Sequence, residues 1–149
     1  MNYLYPEYIP VAKKMKQNPS FYFIILVLVV VDAWLLAHPN LLGKLGVLVF
    51  KYDMIRTFPR ALATVGISAF VSTLVVAFMP KAGKQTALIV LGILTVCSIG
   101  LLINTIMKFS SGSYAMTGAG FKTGAILMPI ILLLIFGNGL LETLKLKKA

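Results

Sequence analysis

The sequence predicts an all-α membrane protein: about four transmembrane helices, plus a short amphipathic helix, interfacial or re-entrant, between spans one and two. Three observations carry that prediction. Hydrophobic residues fill 59% of the 149 positions, and the mean hydropathy is +0.93. Charged residues make up 12% of the chain, about half the usual share of a soluble domain. The apolar residues also gather into runs of membrane-spanning length instead of scattering. A soluble fold of this size has too much helix surface facing water to hide so many Leu, Ile and Val side chains. In lipid the outward surface must itself be apolar, and the difficulty disappears. The length suits one unit, a single transmembrane domain over 1–149.

The first twenty residues are polar and aromatic, with Pro6, Pro10 and Pro19 and the basic Lys13, Lys14 and Lys16. They do not read as a cleaved signal, since no small-residue cleavage pattern follows the first apolar run. Residues 8–15 suit a short helix in the headgroup layer, with tyrosines at that depth. Pro19 and Ser20 are then entry residues for the first span.

That span covers 21–38 and is long enough to cross if it uses its flanks, since a crossing needs roughly 17–25 residues. Trp34 and His38 mark an interfacial belt near its end, and Pro39-Asn40 stops it. Segment 41–50 is too short to cross. Leu41, Leu45 and Leu48 share one helical face there while Lys44 and Lys51 share another, a spacing that suits a helix lying in the interface or re-entering it.

The second span, 59–79, begins at a proline, which the first helical turn tolerates. Pro80 closes it. The short turn over 80–84 predicts that spans two and three are antiparallel neighbours. The third span, 86–107, is uninterrupted. A Gly- and Ser-rich connection over 108–122 has helix-breaking character. The fourth span, 123–141, carries Pro129 near its start, in the first turns or at a kink, and Gly137-Asn138-Gly139 near its end. No internal repeat links the two halves, which argues against an inverted-repeat transporter.

The formal net charge is +10. The basic residues lie between the apolar runs and at the chain ends, so anionic headgroups are the expected counter-ions and nucleic acid is not an expected partner. With four spans, Lys13, Lys14, Lys16, Lys81, Lys84, Lys145, Lys147 and Lys148 fall on one side. Lys44, Lys51, Arg56, Arg60, Lys108 and Lys122 fall on the other. Eight against six places both termini in the cytoplasm, in a plasma or inner membrane.

Asp32 is the most informative residue. A carboxylate at the centre of a span costs roughly 2.5–3.5 kcal/mol on insertion scales, and less nearer the interface. It must therefore face other helices or water, and be neutral or paired. A proton or cation site is one reading. A hydrogen bond or ion pair with Arg56, Arg60 or Asn104 is the plainer one, because no second acid lies at comparable depth. Asn104 and Asn138 suit interhelical hydrogen bonds. Asn138 and Glu142 share a helical face, and Glu142 with Lys145 suits an interfacial pair. Asp53 and Arg56 are three apart, a local pair if helical.

Small residues at four-residue spacing, Ser68/Ser72, Ala69/Thr73 and Gly120/Gly124, permit close helix approach. The glycines at 118 and 120 are not a phosphate loop, since nothing marks a preceding strand or a lysine-serine pair. Arg56 and Arg60, with Gly120 and Gly124, are candidate contacts for a partner or for lipid.

One His and one Cys cannot build a zinc site, a haem would need His38 from a second copy, and no nucleophile-base-acid set exists. No cofactor is expected, and the chain does not read as an enzyme. The expectation is an accessory or structural subunit of a larger membrane protein complex, its partners being the bilayer and other subunits or copies of itself. The alternative is a small oligomeric channel or transporter with Asp32, Asn104 and Asn138 along its pathway.

Overall fold

The computed structural model describes residues 18–38, 40, 41, 44, 45, 48 and 55–145. Among the described residues there is no strand. Four helices among them are long and apolar enough to cross a bilayer: α1 (Pro19–Ala37), α2 (Phe58–Phe78), α3 (Lys84–Ser110) and α4 (Ala119–Lys145). The chain is an integral membrane protein by this architecture. The expected leader helix over 8–15, the Asp53–Arg56 pair, and Lys51, Lys147 and Lys148 lie outside the described residues.

Local chemistry sets the helix boundaries. Pro19 and Pro59 occupy first turns, where the missing N–H leaves no bond unmade. A 3-10 turn, Met79–Ala82, continues α2 and delivers the chain to Gly83. Gly83 has φ +101°, a conformation that a Cβ disfavours. The Ala87 N–H then donates to Gly83 O (3.0 Å) and opens α3.

Helix α3 runs three residues beyond the expected 107, and α4 starts at Ala119 instead of 123. The polar connection is thus partly helical, and the hydroxyls of Ser110 and Ser111 donate back to Ile106 O and Met107 O. As a result Pro129 lies ten residues inside α4 and is buried there, not in its first turns. Between α1 and α2, residues 41, 44, 45 and 48 are helical. Leu41, Leu45 and Leu48 are exposed, as an amphipathic segment at the interface requires.

Four contacts fix the helix directions. The rings of Trp34 and Phe58 meet edge to face at 5.8 Å, and those of Phe109 and Phe121 lie 6.1 Å apart. Gly124 abuts Leu35 and Leu36, and Gly139 abuts Val76. The helices therefore alternate in direction. Pro19, the turn with Lys81 and Lys84, and Lys145 share one end of the bundle. Arg56, Arg60, Lys108 and Lys122 share the other.

Helices α1, α2 and α4 pack on one another in a triangle, and α3 packs along α4, meeting the second span at its closing turn, Met79–Ala82. This corrects the expectation that spans two and three are neighbours. They are antiparallel and joined by a short turn, yet α4 takes the place beside α2. The buried strip of α2 is Ala61, Val65, Ala69, Ser72 and Val76, and Val76 is its point of closest approach to α4. Gly139 lets the α4 backbone come down onto it.

Candidate functional site

Asp32 lies on the inward strip of α1 with Ile25, Val29, Ala33 and Leu36. Leu35 and Leu36 rest on Gly124 of α4. Asp32, three to four residues earlier on the same strip, therefore faces α4 about one turn deeper, roughly 5 Å along the axis. It is fully buried (0% exposed), and neither carboxyl oxygen has a hydrogen-bond partner among the described residues.

The expected bond or ion pair from Asp32 to Arg56, Arg60 or Asn104 is not formed. Both arginines are exposed at the end of the bundle, where their long side chains stay in water at least cost. Asn104 sits on the far side of α3, exposed. The other buried polar side chains resolve the same problem differently. Ser72, Ser98 and Thr143 each donate to the carbonyl four residues back, on Ser68, Leu94 and Gly139, at 2.8, 2.9 and 2.8 Å. A hydroxyl carries a proton to donate backward along its own helix, and a carboxylate does not.

The three candidate pathway residues do not converge within one chain. Asp32 faces inward and Asn104 outward. Asn138 is half-buried fourteen residues beyond Gly124 on α4, so it lies roughly 15 Å further along the axis than Asp32. Glu142 pairs with Lys145 at 3.1 Å, the interfacial pair that the sequence suggested. His38 Nδ1 donates to Trp34 O (2.8 Å), and its ring lies against the Trp34 indole at 4.2 Å. It thus serves the C-terminal end of α1.

Gly120 and Gly124 meet α1 of the same chain. A Cβ on Gly124 would stand 3.0 Å from Leu36 Cγ and 3.1 Å from the Leu36 backbone N, so the glycine is what allows this approach. Two contacts escaped the sequence reading. Gly139 is one: a Cβ there would stand 2.6 Å from Val76 Cγ1. Its signal was present, since Gly139 and Thr143 repeat the small-residue spacing at four. The other is Asn40, whose Nδ2 donates to Met116 O (3.0 Å) across 76 residues of chain. Gly118, at φ +91°, makes room for it, as a Cβ there would stand 3.0 Å from Asn40 Cγ. No local pattern announces such a bond between two connections.

Compared with protein-family models, curated proteins and solved structures, the chain matches none.

Proposed function

We propose that this chain is a non-catalytic accessory or structural subunit packed in a larger membrane protein complex. The supporting observation is the asymmetry of the bundle. Helix α3 touches α4 on one side and leaves its other side open, and that open side carries a polar amide, Asn104. A helix whose only neighbours were lipid tails would have no use for an amide there. A site for packing against another membrane-embedded chain, a different subunit or a second copy, gives it one. Both termini on the cytoplasmic face of a plasma or inner membrane belong to the same proposal, and the shared end of Pro19 and Lys145 fits it.

A second reading, a small oligomeric channel or transporter, draws on the unpartnered Asp32 carboxyl. An ionisable residue inside a membrane is a functional candidate by default. The separation of Asp32, Asn104 and Asn138 counts against a route shared by all three.

Extraction in a mild detergent, size exclusion and mass spectrometry test the proposal. A stoichiometric complex with other membrane subunits is the expected result. A homo-oligomer that gives Asp32-dependent ion flux in liposomes overturns it in favour of the second reading.

A further inference from the structure

The uncovered face of α3 has a defined composition. Ile89, Ile93, Val96, Gly100, Asn104 and Met107 recur every three or four residues and are all exposed. At 100° per residue they form one seam, opposite the Ala87, Leu91 and Ser98 strip that packs on α4. A Cβ on Gly100 would meet nothing within 4 Å, so the close approach this glycine permits is not used inside the chain. No described group bonds the Asn104 amide.

We propose that a second copy of this chain covers this seam, α3 against α3 in parallel, with the two Asn104 amides hydrogen-bonded across the two-fold axis. The proposal rests on the reading of α3 as a packing face and names its occupant. Two copies inserted in one membrane share their topology, so their α3 helices run in the same direction and each Asn104 lies at the depth of its mate. A primary amide holds both donors and an acceptor. Two identical amides therefore satisfy each other without any further group, as a polar residue at a helix seam does when it fixes register and partner number. Gly100, one turn from Asn104, lets the two backbones approach closely enough for the amides to meet. Lys108 follows at the water-facing end of the helix, where repulsion between the two copies is screened.

The test uses the full chain in liposomes, with Cys97→Ala as background and one cysteine added by Val96→Cys. Oxidation is expected to give a cross-linked dimer. Phe70→Cys, on the exposed side of α2, is expected to give several-fold less. Adding Asn104→Leu should weaken dimerisation by about three- to thirty-fold, the range of interhelical hydrogen bonds in membranes. Gly100→Leu should act in the same direction, and its open surroundings mean that the monomer folds unchanged. Equal cross-linking at Val96 and Phe70 overturns the proposal, as does dimerisation indifferent to both α3 substitutions. A chain that co-purifies with other subunits but does not cross-link through Val96→Cys keeps the subunit reading and loses this one. A chain that purifies alone yet cross-links through Val96→Cys does the reverse.

Discussion

Helices α3 and α4 have the same length, 27 residues, and both are apolar enough to span a bilayer. Their positions in the molecule differ completely. Helix α4 packs on all three other spans, and α3 packs on α4. The more apolar of the two, α3, is the less buried. In water the reverse order would hold, because burial is what apolar surface gains there. Lipid tails solvate Leu and Ile as well as a protein interior does, so hydropathy marks residence in the membrane and says little about which helix is central. Small residues decide that. Gly124 and Gly139 let α1 and α2 close onto α4. The glycines of α3 at 92 and 100 have no heavy atom within reach of a Cβ.

This contrast can be broken at several points. The largest expected effect is in the core of α4. Ile131 is 1% exposed and Ile93 on α3 is 58% exposed. Ile131→Ala should lower the unfolding free energy in detergent by about 2–5 kcal/mol, the cost of a cavity. Ile93→Ala should leave it nearly unchanged, and equal losses would mean that α4 is not the hub. Asp32 comes next. Since its carboxyl oxygens bond no described group, replacement by an apolar side chain of similar volume, Asp32→Val, should raise the unfolding free energy by about 1–3 kcal/mol, the cost of an unsatisfied buried polar group. A loss of stability would show that the acid holds a partner that the bundle lacks. A smaller effect is expected for Asn40→Ala, which removes at least the bond to Met116 O and should cost about 1 kcal/mol or more. Faster proteolysis at the connection between α3 and α4 is the accompanying sign.

The number and approximate extent of the spans were legible in the sequence because length and hydropathy together encode crossing. So were the amphipathic spacing of Leu41, Leu45 and Leu48 and the Glu142–Lys145 pair, both of which depend only on local periodicity. Neighbour relations were not legible. The short turn after α2 suggested adjacency to α3, and chain proximity is a fair guide when helices are interchangeable. Here the close approach of Val76 on α2 to Gly139 on α4 outweighed it. Asp32 was recognised as the unusual residue, but its surroundings were not. Possible partners could be named from the sequence, whereas the direction of each side chain depends on helix rotation about its axis. Of the two places the sequence allows Pro129, the first turns are excluded, because the start of α4 lies in polar Gly- and Ser-containing sequence that reads as a loop in isolation.

The most direct measurement of the central claim is an alanine substitution at each of two sets of glycines, read by unfolding in detergent. A Cβ at Gly124 or Gly139 would press into α1 or α2, so Gly124→Ala and Gly139→Ala should destabilise by about 1–3 kcal/mol. At Gly66, Gly92 and Gly137 a Cβ meets nothing within 4 Å. There alanine should be neutral or should stabilise by up to about 1 kcal/mol through its higher helix propensity. Opposite signs for the two sets are the predicted result. The same sign and size for all five would contradict a bundle centred on α4.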